Sequence, residues 1–233
     1  MRANQVSGMT MAQILERAGF AGPALLLHTL LCATVLAIVF CDHLKASEFK
    51  ADPARALPIV EQTCSACHGS DGNSPNVAVP SLAGQFPEYL FKQLTQYKGL
   101  PGLPRRENPI MAEIVKPLSL EDMQNLALYF ESQSPKPAPI RDRGRLDRGK
   151  SVYLSGNAAN DLPACVTCHR PDGAGIRPDF PRVGGQQPEY IENQLLAWKE
   201  GTRGGKGKLM SMIVPHMTED EIEAVADYIA QLR

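Results

Sequence analysis

Apolar residues recur at helical spacing in two stretches that mirror one another. Met123, Leu126, Ala127 and Phe130 fall at i, i+3, i+4 and i+7, as do Ile222, Val225, Ala226 and Ile229, and each set predicts an amphipathic helix. Both helices open on a capping box, Ser119 with Asp122 and Thr218 with Glu221, Asp122 being a short substitute for Glu. Leu118 and Met217 stand just before the caps, where each can staple onto Met123 or Ile222. A middle helix starts at Pro87 in one stretch and Pro188 in the other, where the missing N–H of proline costs nothing. Its apolar face is Leu90, Leu94 and Tyr97, or Ile191, Leu195 and Trp198. A first helix, for example Gly149 to Leu154, leads into a pair of cysteines. No segment alternates with strand period, so the expected class is all-α with loops elsewhere.

The mirroring extends over the chain. Cys64 to His68 recurs as Cys165 to His169, and the same offset carries Asp71-Gly72, Pro80, Gly84-Gln85 and Pro87-Glu88-Tyr89 onto their counterparts. After Lys98 and Lys199 the loops differ in length; Met111 then meets Met210, and Ile114-Val115 meets Ile213-Val214. Two copies of this size predict two small domains rather than a solenoid, which needs more repeats to bury a face. The expected boundaries are 47–134 and 148–233, joined by an extended, exposed, proline-containing linker at 135–147. Residues 1–46 stand apart. Ala24 to Cys41 is an uncharged apolar run, on the border between a removed secretory signal, with Ala46 before the cleavage site, and a retained membrane anchor.

Composition narrows the reading. The formal net charge of the 233 residues is −1, with −3 in 48–134, +2 in 135–147 and −1 in 148–233, so nothing suggests a nucleic-acid partner. Aromatic residues make up 6%, with one Trp, which is thin for two self-made cores. Of the six Cys, Cys32 and Cys41 lie in the apolar run, and the other four form the two paired strings.

Those strings, C-S-A-C-H and C-V-T-C-H, have the form of the c-type haem attachment site. Two thiols one helical turn apart reach both vinyl groups, and the adjacent His faces the iron. Zinc would need further Cys or His ligands, and a thioredoxin-like dithiol a βαβ context. The expected cofactors are therefore two covalent haem c groups, held by Cys64, Cys67 and His68 and by Cys165, Cys168 and His169. A sixth ligand of Met gives a closed electron-transfer iron. Met111 and Met210 are the candidates because the repeat relates them, with Met212 two residues from the second as a competitor; His216 is expected at the surface. The carbonyls of Pro80 and Pro181 are candidates to orient the ligand imidazoles. Arg105 or Arg106, and Arg203, are candidate propionate donors. Tyr89, Tyr97, Tyr190 and Trp198 belong either to haem contacts or to helix-face core.

The doubled C-x-x-C-H strings, the P-x-[LV]-[AG]-G-Q stretches at Pro80–Gln85 and Pro181–Gln186, the E-Y helices after them, Gly201-Thr202-Arg203 and the Met-to-final-helix segments together resemble the cytochrome c4 family. The resemblance implies two tandem class I cytochrome c domains, periplasmic, with haems facing one another across the domain interface. It also implies one-electron carriage, without catalytic turnover, from a cytochrome bc complex to a terminal cbb-type cytochrome oxidase; the chain departs from the family's usual pattern in its longer Gly99 to Met111 loop and in the apolar run 24–41, which attaches it to a membrane if retained. The dihaem subunit of flavocytochrome c sulfide dehydrogenase resembles the same double domain. A dihaem enzyme, a peroxidase or a thiosulfate-oxidising cytochrome, would need an open or differently ligated iron.

Overall fold

Each repeat folds around its last helix, because that helix carries the most apolar face and the best-defined start. In a computed structural model, which describes residues 51–204 and 208–233, the first repeat comprises α1 (Leu57–Ile59), α2 (Ser65–His68), α3 (Pro87–Lys98), α4 (Pro109–Val115) and α5 (Leu120–Glu131). The second comprises α6 (Leu146–Ser155), α7 (Val166–His169), α8 (Pro188–Lys199), α9 (Leu209–Ile213) and α10 (Glu219–Gln231). Among the described residues no helix is long and apolar enough to cross a membrane. The run Ala24 to Cys41 lies outside them.

Both capping boxes form. The Ser119 hydroxyl accepts from the Asp122 N–H at 3.0 Å and Thr218 from Glu221 at 3.2 Å, while each N3 carboxylate accepts the cap residue's own N–H. Leu118 joins Met123, Leu126 and Phe130 in one buried cluster with Ala56, Val60, Leu90 and Val115. Met217 joins Ile222, Val225 and Ile229 in another with Val152, Tyr153, Leu162, Leu195 and Val214. Both cap residues are exposed, but Glu221 is buried and also accepts from Asn157 Nδ2 at 2.7 Å, whereas its counterpart Asp122 is only half-buried. Thr218→Ala is therefore expected to cost about 1–2 kcal/mol and Ser119→Ala about 1 kcal/mol or less, measured by denaturant unfolding of the haem-loaded protein. Equal costs would show that the Asn157–Glu221 tie adds nothing.

The run into the cysteine pair differs between repeats. In the first, α1 passes through a π turn at Val60–Cys64 straight into α2. In the second, α6 stops at Gly156, whose φ is +69°, and a loop intervenes before α7. The first helix expected at Gly149 to Leu154 is found within α6, and the segment between Gly156 and Cys165 separates it from the cysteine pair. The loop is anchored by Leu162, which is buried in the second cluster, by the Asn157–Leu162 bridge, and by His216 Nδ1, which donates to the Asn160 carbonyl at 2.8 Å. The His216 side chain is otherwise exposed.

Ala56 and Val60 in the first repeat, and Gly149 and Tyr153 in the second, take corresponding places against the last helix. The α6–α10 crossing is the closer. A Cβ on Gly149 would lie 2.1 Å from the Ala224 carbonyl oxygen and 2.8 Å from Tyr228 Cβ.

The expected linker 135–147 is free of helix only over 135–142, where its prolines lie; Arg143–Arg145 form a 3-10 turn that runs into α6 at Leu146, and the helix-free part is pinned. The Ala138 N–H donates to the Ala230 carbonyl at 3.1 Å and Arg141 N–H to Asp227 Oδ1 at 3.1 Å, both on α10. On the first repeat, Lys136 N–H donates to Asn73 Oδ1 at 2.8 Å and Asn73 Nδ2 to the Ser134 carbonyl at 3.0 Å. Ala138 is buried, which the proline-and-charge pattern did not suggest.

Candidate haem sites

In each repeat the C-x-x-C-H segment forms a single helical turn, α2 or the Cys165-led α7, that ends at the His. His68 Nδ1 donates to the Pro80 carbonyl at 2.8 Å and His169 Nδ1 to the Pro181 carbonyl at 3.0 Å. A carbonyl can only accept, so the proton is on Nδ1 and Nε2 is left with its lone pair. Burial lowers the pKa of both imidazoles, against a smaller opposite effect of the proline carbonyls. Both rings are thus held neutral and aimed, as a ligand imidazole must be.

All four described cysteines are free of disulfides. Burial pushes the thiols of Cys64 and Cys165 up to about 11. A zinc ligand or redox nucleophile needs the thiolate, and this environment opposes it; a thioether to a haem vinyl carbon requires no charge on sulfur. Among the described residues no group of three or more His, Cys, Asp or Glu could hold a metal ion by itself.

Met111 and Met210 were expected in loops. They lie instead in the first turns of the short helices α4 and α9. Asn108 caps α4 by accepting the Met111 N–H at 2.9 Å, followed by Pro109 at the first helical position. Met111 packs against the first cluster and Met210 against the second, whereas Met212 is 61% exposed.

Between the repeats lies a feature the sequence only hinted at. Arg106, 8% exposed, donates to Gln93 Oε1 at 2.8 Å in its own repeat, and to Tyr190 Oη at 2.9 Å and Gln194 Oε1 at 2.7 Å in the other. Arg203 mirrors it, donating to Gln194 Oε1 at 2.7 Å in its own repeat and to Tyr89 Oη at 3.0 Å across the interface. Their guanidinium groups lie over the rings of Tyr97, at 4.7 Å, and Trp198, at 3.9 Å. Arg105 is exposed, so Arg106 is the counterpart of Arg203. Tyr97 and Trp198 pack on the cores, while Tyr89 and Tyr190 reach across. Gln93 and Gln194 carried only the repeat offset as a signal.

Both arginines share Gln194 Oε1, so their donor nitrogens lie within about twice a hydrogen-bond length of each other. Two like charges roughly 5 Å apart repel by about 3 kcal/mol at an effective dielectric of about 20. Burial opposes the charge of Arg106, but the oxygens of Tyr190, Tyr97 and Tyr89 outweigh it and raise the guanidinium pKa. Among the described residues neither arginine forms an ion pair with a carboxylate. A cavity of about 120 Å³ opens beside them, lined by both, by Gln194, Ala197 and Thr202, and by exposed Glu107. A cation pair of one buried and one half-buried arginine, neither of them ion-paired to a carboxylate, suits an anionic group, and the propionates of haem are such groups.

Two helical repeats, each with a C-x-x-C-H turn, a carbonyl-locked His and a Met packed on the core, define a dihaem c-type cytochrome that carries electrons through two covalently bound haem c groups. The family model for cytochrome c matches twice, over residues 55–134 and 146–233. The chain belongs to the cytochrome c4 family. It is 37% identical over 172 residues to cytochrome c4 of Pseudomonas aeruginosa, covering 72% of this chain and 83% of that one. It is similar to a thiosulfate dehydrogenase electron acceptor of Thiomonas intermedia (strain K12), 36% identical over 188 residues, covering 78% of this chain and 85% of that one. A crystal structure of reduced recombinant cytochrome c4 from Pseudomonas stutzeri superposes with a TM-score of 0.72 at 35% identity, covering 78% of this chain and all of that one.

Proposed function

We propose that Cys64, Cys67, His68 and Met111 hold one haem and Cys165, Cys168, His169 and Met210 the other, in domains spanning 47–134 and 148–233. When bound, each haem supplies one-electron chemistry, cycling between ferrous and ferric iron. The chain locks the imidazole, presents the methionine sulfur and keeps water from the iron. Its working role is then a periplasmic carrier, soluble or anchored through residues 24–41, that takes electrons from a cytochrome bc complex to a cbb-type oxidase without turnover of its own. The observation that carries this reading is the pairing in each domain of a carbonyl-locked His with a Met packed on that domain's core.

The test is optical. Oxidised protein with two His/Met haems shows the weak far-red iron–sulfur band at twice the intensity of a single site. Met111→His and Met210→His are each expected to remove half of it, and Met212→His to leave it intact, because that side chain points to solvent. A full band in Met210→His would overturn the assignment of the second ligand.

A second reading is supported by the Thiomonas relative: an acceptor for a thiosulfate dehydrogenase. Reduction by a partner enzyme with thiosulfate, faster than by a quinol-oxidising bc complex, would favour it; the reverse order supports the respiratory role.

A further inference from the structure

The glutamine that ends each P-x-x-x-G-Q stretch is not used by its own domain's site. Gln85 reaches across to residue 182, accepting the Arg182 N–H on Oε1 at 3.0 Å and donating from Nε2 to the Arg182 carbonyl at 2.8 Å. Gln186 does the same to residue 81, accepting the Ser81 N–H at 2.7 Å and donating to the Ser81 carbonyl at 2.8 Å. Each Oε1 also accepts the N–H of the residue that follows it, Phe86 at 3.0 Å or Gln187 at 2.9 Å. Reversing either amide would turn its NH₂ toward two N–H donors, so the orientation is set by the partners.

Residues 81 and 182 directly follow Pro80 and Pro181. The N–H that each glutamine accepts therefore belongs to the same peptide group as the carbonyl that accepts from the ligand histidine. The chain of bonds runs from His169 Nδ1–H to the Pro181 carbonyl, through that peptide to the Arg182 N–H, and on to Gln85 in the other domain. The mirror chain runs from His68 through the Pro80–Ser81 peptide to Gln186.

We infer that Gln85 and Gln186 are positioning residues that act crosswise, each polarising the peptide that orients the histidine of the opposite domain's haem. A peptide whose N–H is engaged has a more electron-rich carbonyl, and hydrogen bonds in series strengthen one another by about 10–30% per bond. The carbonyl then draws the Nδ1 proton harder, the imidazole becomes a stronger donor to iron, and the ferric state is favoured. Outer partners of metal-bound histidines act on the metal in this way. The inference rests on the His assignments above.

The test is a spectroelectrochemical titration of both haems in the intact protein carrying Gln85→Met, and separately Gln186→Met, each keeping side-chain bulk while removing the acceptor. Gln85→Met is expected to raise the midpoint of the second haem, by up to about fivefold in its reduced-to-oxidised ratio at fixed potential, and to leave the first unchanged. Gln186→Met is expected to do the opposite. The hyperfine-shifted Nδ1–H resonance of the opposite histidine should move or exchange faster in each variant, which a purely structural contact would not produce. A shift confined to the glutamine's own domain, an equal shift of both haems, or an unmoved Nδ1–H resonance would overturn the crosswise link. Wild-type protein lacking two His/Met haems would instead overturn the underlying assignment.

Discussion

Replacing both Cys165 and Cys168 by Ser is expected to give a protein with one haem per chain whose second domain no longer unfolds cooperatively. The attachment turn α7 spans only Val166–His169, far shorter than a helix that could stand in water unaided. It is tied on one side by the His169–Pro181 bond and at its end by Tyr153 Oη, which donates to the Arg170 carbonyl at 2.6 Å. Arg170 is held at a φ of +66°, a conformation that favours glycine and is found as Gly69 in the first domain. Downstream, residues 170–187 run without a helix. A domain this small buries a modest share of its surface, and with so few aromatic side chains the haem must supply much of the core. Pyridine haemochrome analysis and a far-UV circular dichroism melt would show the loss: one haem, and a transition of roughly half the amplitude. A single undiminished transition in the one-haem protein would show that the polypeptide core suffices.

Gly149→Ala is expected to be strongly damaging, at about 3 kcal/mol. Helix propensity alone would favour Ala by about 1 kcal/mol, so the sign is decided by packing. The added methyl group meets the Ala224 carbonyl oxygen and its carbon at 2.1 and 2.7 Å. These are backbone atoms of α10 that cannot rotate away. Overpacking a core costs about 1–3 kcal/mol, and more when the backbone must shift. The displacement would also disturb the tilted Tyr153–Tyr228 ring contact, whose centroids lie 5.5 Å apart. Ala56 in the first domain is the control, since it fills the corresponding place with its methyl group fully buried. Denaturant unfolding of the haem-loaded Gly149→Ala protein checks the prediction, and a cost under 1 kcal/mol would mean that the two helices slide apart freely.

Much of this architecture is readable along the chain because its determinants are local. The capping boxes, Pro87 and Pro188 at helix starts, and the i, i+3, i+4, i+7 apolar sets each lie within one turn or two of what they specify. The His68 and His169 bonds to Pro80 and Pro181 were also accessible, since the repeat marks both ends. Helix α4 is not evident from the pattern although Asn108-Pro109 is a sound start signal, because the whole helix, Pro109–Val115, is only seven residues long. Helix α9 has no side-chain cap at Lys208, so nothing local announces it. The cross-domain bonds are of another kind. Ser81 and Gln186 are 105 residues apart, and Arg106 and Tyr190 84 apart. No periodicity or propensity encodes such a pairing; only the recurrence of Gln and Tyr at equal positions in both copies pointed to it.

The pinned linker also bears on rate. Its backbone is bound to Asn73 on one domain and to Ala230 and Asp227 on the other, so the two attachment turns are not tethered bodies that must collide before an electron can pass. Electron exchange between haems held by those turns is therefore expected to cross a fixed gap at a rate indifferent to solvent viscosity, unlike delivery to a separate partner, which slows as diffusion slows.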